Sequence, residues 1–376
     1  NNMTDKKISI LLGSGVSLFS NLPNVKKITD TILTTDSVSR NSDMNYYMYT
    51  KPVSCNYVAS IQVLLDYLKD IIEKYHDHAK IRYGFNYEEL YYLLTQLSES
   101  ESKEYENPAL FPLIQQIQKD FANEISLHDN DLTRFLNEAK RYIHYIIYQL
   151  LQLSNGNVSQ FDIIAKLLKL TPDLDIYTLN HDILLETYFA QRKLDFNVGF
   201  EKSDKISFFN KSLIENNQGI NLFKLHGSID WFIFQDKNGN SNLYRVPLDH
   251  DAQIDRYYTL DERLHFTDGL PYFLIGTFNK MMNYLGGYYE IVFDTFKKRI
   301  LDSQKIIISG YGFCDKGINT RITHFAHQPD KELVIIHPDK EQLVTTARGS
   351  FHINLLNNPS VRFVEKKFEE ITIDDI

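Results

Sequence analysis

Cysteine is nearly absent from this chain of 376 residues, with Cys55 and Cys314 its only two. So sparse a supply excludes a disulfide framework and any CxxC zinc pair, and it leads us to expect a reducing, cytoplasmic setting. Long apolar runs are missing as well. No stretch approaches the roughly 20 residues that span a bilayer, so no membrane segment is expected. The opening residues NNMTDKK do not follow the basic-then-apolar order of a secretory signal, and Met3 is the expected start. Nor is positive charge in excess. Lys and Arg number 40 against 49 Asp and Glu, a net charge of −9, so there is no general electrostatic footprint for a nucleic acid and no direct nucleic-acid binding is expected. An HExxH pattern is also missing, so no metal site is expected.

What the chain does contain is enough apolar residue, 43% of its length, to bury a sizeable core. The run KISILL (7–12) stops at Gly13-Ser14-Gly15, and apolar residues at helical spacing follow from Asn24 to Leu33. This reads as strand, glycine turn, helix. From about Tyr57 to Leu153 the spacing is helical throughout, and Leu132, Phe135, Leu136, Ala139, Ile143, Ile146, Ile147 and Leu150 make one stripe. A block of that length is too long to be an ordinary connection. We expect an all-helical subdomain at 41–164, inserted into a domain made of 7–40 and 165–376. Beyond it, short β-branched runs return at 175–180, 220–227, 271–278, 305–313 and 332–339, with helical stretches between several of them. Such alternation predicts an α/β fold, a Rossmann-like doubly wound parallel sheet. Ligands in such sheets bind outside the carboxyl ends of the strands.

Several polar motifs fall at those ends. LLGSGVS (11–17) offers glycines that let a diphosphate approach the backbone, a helix N-terminus, and the hydroxyls of Ser14 and Ser17; a tight structural turn explains it equally well. In YTLNHDILLE (177–186), Asn180 and Asp182 suit helix capping, although Asn180 could instead orient a ribose hydroxyl or a water. His226, in NLFKLHGSIDW (221–231), is either a structural imidazole or, if it faces a pocket, a proton acceptor suited to neutral pH. ISGYGFCDKGIN (308–319) opens the backbone at Gly310 and Gly312, with Asp315 and Asn319 alongside, where an adenosine moiety would lie. Cys314 more simply fills space.

GSGVS, the TxNxD pattern at Thr178, Asn180 and Asp182, KLHGSIDW, and ISGYGF followed by Asp315 and Asn319 occur in an order and spacing that resembles the Sir2-like domain, the sirtuin relatives of bacterial immune proteins. The resemblance covers residues 7–40 and roughly 165–345. It implies a Rossmann-like fold that takes NAD+ as substrate, with Gly13, Ser14, Gly15 and Ser17 lining the diphosphate site and Asn180 and Asp182 beside the nicotinamide ribose. It further implies His226 as the essential base, and Gly310, Tyr311 and Asn319 near the distal half of the dinucleotide. Sirtuin deacylases carry a four-cysteine zinc module, which two cysteines cannot build, so no zinc is expected and an acyl-lysine groove loses support. Water then becomes the favoured acceptor, which makes an NAD+ hydrolase acting in antiviral defence the expected function. A protein deacylase or ADP-ribosyltransferase, or a non-catalytic NAD+ or ADP-ribose sensor, are the alternatives. By the same resemblance a HerA-type hexameric ATPase is the expected partner; the aromatic-rich helical block, which carries none of the resemblance, is a candidate for self-association or for docking a partner.

Overall fold

The computed structural model describes residues 7–81, 83–201, 206–215, 218–248, 257–258, 263–277 and 279–376. The chain forms two compact units, one made of Asn1–Leu22, Ser154–Leu274 and Met281–Ile376, the other of Pro23–Leu153 and Ile275–Lys280.

The first unit is organised by a seven-stranded sheet. Its strands are β1 (Ile8–Leu12), β2 (Leu174–Thr178), β3 (Phe196–Asn197), β4 (Ile220–Lys224), β5 (Lys305–Ser309), β6 (Glu332–Ile336) and β7 (Val361–Val364), in the order β7-β6-β5-β1-β2-β4-β3, all parallel. The expected parallel α/β architecture is present. Strands β2 and β4 are buried at every position, which is why they read as continuous apolar runs rather than as alternation. From β1 the chain builds one half of the sheet, through β2, β3 and β4, and then returns to the other side of β1 for β5, β6 and β7. That reversal is a topological switch point, where the loops leaving β1 and β5 diverge. Register keeps the carboxyl ends level: Leu12 lies opposite both Thr178 and Ser309, and Thr178 lies opposite Lys224.

The opposite end of this sheet is held by charge. Asp175, 1% exposed, accepts from Arg299 Nε at 3.0 Å and Nη2 at 2.5 Å, from Lys7 Nζ at 3.0 Å and from Asn221 Nδ2 at 3.0 Å. Burial pushes its carboxyl up, but Arg299 and Lys7 together outweigh burial and hold it below its ordinary value. In the unfolded chain the same group titrates near about 3.9. Its stabilising contribution is therefore fully present above that value and is lost as pH falls through the lower, folded one. Asp175→Asn is expected to cost about 3 kcal/mol at pH 7 in urea unfolding, with the difference from wild type shrinking on acidification through the carboxylate range.

Two features of this unit depart from the sequence reading. The segment after Gly13 is a 3₁₀ helix, Ser14–Ser20, and the α-helix Val25–Thr34, capped by the Asn24 side chain, falls in the second unit. The run at 271–278 does not join the parallel sheet. Its first part ends the strand Arg263–Phe273 of a separate antiparallel sheet, with Gly227–Gln235, Ser241–Arg245, Ser207–Phe208 and Tyr257–Tyr258.

The second unit contains Asn56–Ala79, Tyr87–Ser102, Phe111–Asp120, Ala122–Ser126 and Leu132–Leu150 as α-helices. All eight residues of the expected stripe on Leu132–Leu150 are buried. The unit is not wholly helical, however, since Val38–Arg40 and Tyr46–Met48 pair as a two-stranded hairpin. Among the described residues no helix is long and apolar enough to cross a membrane.

Candidate active site

At the switch point the two glycine motifs face each other, backbone against backbone. Gly13 N donates to Ser309 O at 2.9 Å and Gly15 N to Gly310 O at 3.0 Å. A Cβ on Gly13 would stand 2.5 Å from Gly310 O, and one on Gly15 2.7 Å from Gly310 Cα. Gly310 has φ +67°, and a Cβ there would meet Val16 N at 2.6 Å. The motif is thus glycine-rich because two strand-end loops interlock at a distance that no side chain allows. The N–H groups of Gly13, Gly15 and Val16 are taken by Ser309, Gly310 and Gly13 carbonyls, so they are not open donors for a diphosphate. Ser14 and Gly15 are exposed, whereas Gly13 and Ser17 are buried. Gly310→Ala is expected to lower unfolding stability by at least about 2 kcal/mol, through left-handed strain and the clash together; urea titration measures it.

Ser17 and the Asn180 loop form one hydrogen-bonded set. Ser17 Oγ donates to Asp182 Oδ2 at 2.7 Å and accepts from Asn180 Nδ2 at 3.0 Å, and Asn180 Nδ2 also reaches Gly13 O at 3.2 Å. Asp182 Oδ1 accepts from Leu184 N at 3.1 Å, so Asp182 ties the start of the helix Leu184–Arg192 to Ser17. Asn180 is 8% exposed, and its Oδ1 is a buried acceptor with no hydrogen-bond partner among the described residues. Buried polar atoms are seldom left so, because the desolvation is uncompensated. An orphaned carbonyl oxygen at a strand end on the switch point is what a ligand hydroxyl or a water would satisfy.

His226 follows β4 by two residues and is 4% exposed. Its main chain is pinned by Leu274 N, which donates to His226 O at 2.9 Å. The next residue, Gly227, has φ +80°, and a Cβ there would lie 2.2 Å from Tyr272 O. The imidazole Nε2 lies 2.8 Å from Tyr284 Oη and 3.1 Å from Asp315 Oδ2, and Tyr284 Oη donates to Asp315 Oδ2 at 3.1 Å. An ionised carboxylate only accepts, so the assignment that satisfies all three groups puts the proton on Nε2 and leaves Nδ1 as the basic nitrogen. Burial, and then the charge of Asp315, push the Tyr284 hydroxyl well above its ordinary value, which keeps it a neutral donor. Its ring stacks on Phe293 with centroids 4.1 Å apart. Asp315 is fixed in turn, since its Oδ1 caps the helix Lys316–Ala326 by accepting from Ile318 N at 3.0 Å. His181, between Asn180 and Asp182, stacks on Phe273 at 4.5 Å and lies 6.3 Å from the His226 ring, centroid to centroid. The Asn180 loop and His226 are therefore neighbours.

Tyr311 and Asn319 serve each other. Tyr311 Oη donates to Asn319 Oδ1 at 2.8 Å and Asn319 Nδ2 donates to Phe313 O at 2.7 Å, a brace that shapes the loop carrying Asp315. Sequence reasoning did not single out Tyr284. Nothing in a periodic pattern marks it, because its partners lie 58 and 31 positions away. Cys55 is half-buried and Cys314 exposed. Among the described residues no group of three or more His, Cys, Asp or Glu is placed to hold a metal.

Residues 175–353 match the SIR2-like domain family. The match takes in Asn180, Asp182, His226, Gly310, Tyr311, Asp315 and Asn319, and leaves out the Gly13–Ser17 segment. Among solved structures, a Sir2 homologue in complex with NAD aligns at a TM-score of 0.39 with 13% identity, over 98% of this chain and 88% of that one. A mutant Sir2 homologue with ADP-ribose gives 0.39 and 12%, over 98% and 90%. Likenesses this remote add nothing to the fold, which rests on the strand order itself. No curated protein matches the chain in sequence.

Proposed function

With residues 175–353 similar to a SIR2-like domain, we propose that this chain hydrolyses NAD+ at its nicotinamide–ribose bond. The observation that supports it best is the pairing at adjacent strand ends of a carboxylate-backed imidazole, His226 with Asp315 and Tyr284, and a buried amide, Asn180, whose Oδ1 has no partner among the described residues. The reaction converts NAD+ and water to ADP-ribose, nicotinamide and one proton. The C–N electron pair goes to the pyridinium nitrogen, which departs neutral, while the water oxygen bonds to the ribose carbon through an oxocarbenium-like state. Asn180 Oδ1 holds the water or a ribose hydroxyl, and His226 takes the proton that water gives up. Asp182 fixes the loop through Ser17 and Leu184. Ser14, Gly15 and Ser17 border the diphosphate, with Gly310, Tyr311 and Asn319 toward the distal half, and no zinc takes part.

On this reading the chain is an NAD-depleting effector of antiviral defence, restrained until it assembles with itself and with a HerA-type ATPase. The support is the set of motifs at the strand ends, which resembles that of such immune proteins. The deciding experiment incubates the protein, alone and with the ATPase, with adenine-labelled NAD+ and an acylated-lysine protein. Label recovered only as free ADP-ribose supports hydrolysis. Label transferred to protein, or to an acyl-ADP-ribose, overturns it in favour of a transferase or deacylase, and tight NAD+ binding with no nicotinamide release would make the chain a sensor.

A further inference from the structure

Lys224 ends β4 and is 0% exposed. An ammonium wholly removed from water is costly unless paired and hydrogen-bonded, and a hydrophobic side chain of similar volume would fill the position without that cost. What the ammonium holds is therefore informative. Nζ donates to Glu186 Oε1 at 3.0 Å and to the main-chain carbonyl of Asp182 at 2.5 Å. Glu186 is itself 4% exposed, and burial pushes its carboxyl up despite the facing ammonium. Glu186 Oε1 anchors the Lys224 head.

The second acceptor is in the site. Asp182 lies in the turn that carries Asn180, and its carbonyl is the point at which a buried charge grips that turn. From there the bonds run in sequence: Asp182 Oδ2 takes the Ser17 hydroxyl, and Ser17 Oγ takes the Asn180 amide. Asn180 Nδ2 is thereby oriented toward Ser17 and Gly13, which fixes the direction of Oδ1. Two residues along the same chain is His226, so β4 sets the position of both reacting groups, one directly and one through Lys224.

We propose that Lys224 is a positioning residue, its buried ammonium holding the Asp182 main chain so that the Asn180 carbonyl oxygen stays aimed at the reacting ribose or water. The proposal rests on the NAD+ hydrolysis reading for its kinetic consequence but not for its structural one. A misplacement on the ångström scale suffices to cost roughly 10²-fold in rate, and binding contacts elsewhere on the dinucleotide are untouched. The loss belongs in kcat.

The test compares Lys224→Met with the double variant Lys224→Met/Glu186→Leu. Replacing a buried ion pair by apolar residues of similar volume is often neutral for stability, so the double variant is expected to melt near wild type. If Lys224 positions the loop, both variants lose kcat for nicotinamide release by roughly 10²-fold with little change in KM, and the Leu184 amide, bonded to Asp182 Oδ1, exchanges its hydrogen faster in both. If the pair merely fills the core, the double variant recovers wild-type kcat and wild-type exchange at Leu184, and the proposal is overturned. Should wild type release no nicotinamide at all, the hydrolase reading fails, while exchange at Leu184 still decides the role of Lys224.

Discussion

His226→Ala is expected to reduce nicotinamide release from NAD+ by roughly 10³-fold, the scale of a lost general base, while ADP-ribose binding measured by calorimetry changes little. The side chain is buried between Tyr284 and Asp315, so its removal leaves a gap and takes one donor from a carboxylate that keeps Tyr284 Oη and Ile318 N. A stability loss is to be read alongside, and it is separated from catalysis by assaying well below the melting temperature. Asp315→Asn provides the graded companion. An amide in place of the carboxylate no longer holds the proton on Nε2, and the imidazole can adopt the wrong tautomer with its ring position kept. Turnover should fall, with the rate-against-pH profile displaced rather than uniformly lowered. Unchanged turnover in His226→Ala would end the assignment of this imidazole as the base.

Asn180→Ala is expected to be nearly as damaging to turnover, by roughly 10²-fold or more, for a different reason. The substitution removes Oδ1, the group proposed to meet the ribose or water, and also frees Ser17 and Gly13 O of the amide they hold. Asn180→Asp separates the two effects: it restores an acceptor, loses the donor, and brings a second carboxylate next to Asp182 at the strand end. Product chromatography at saturating NAD+ distinguishes them. An alanine variant with wild-type turnover would show that the orphaned oxygen has another purpose.

Much of this site is legible in the amino-acid sequence, for a physical reason. A parallel sheet buries both faces, so β2, β4 and β5 appear as short apolar runs, and whatever polar residue follows each run is delivered to one edge of the sheet. Asn180, His226 and Gly310 are found that way. Position along the chain does not say which ends are neighbours; that needs the strand order, and with it the level register of Leu12, Thr178 and Ser309. The rest was illegible because it depends on contacts between distant segments. Tyr284 meets His226 across 58 positions and Lys224 meets Glu186 across 38, and neither shows in a local pattern. The antiparallel sheet was missed because Gly227–Gln235 is buried along most of its length, which hides the alternation expected of a half-solvated strand. The hairpin at Val38–Arg40 and Tyr46–Met48 is too short to carry a period at all.

The interlocked glycines have a consequence in time. β1 finds one of its two neighbours, β5, only after a long stretch of intervening chain exists: Lys7 and Gln304, which close that pairing at its start, are 297 positions apart. Contacts of such long range are assembled late, because closing the intervening chain must precede any gain from them. Asp315, the partner of the proposed base, is made later still. A growing polypeptide on the ribosome therefore holds a glycine loop, an asparagine and a histidine in succession, and the candidate site is finished only once the segment that carries Asp315 has been made.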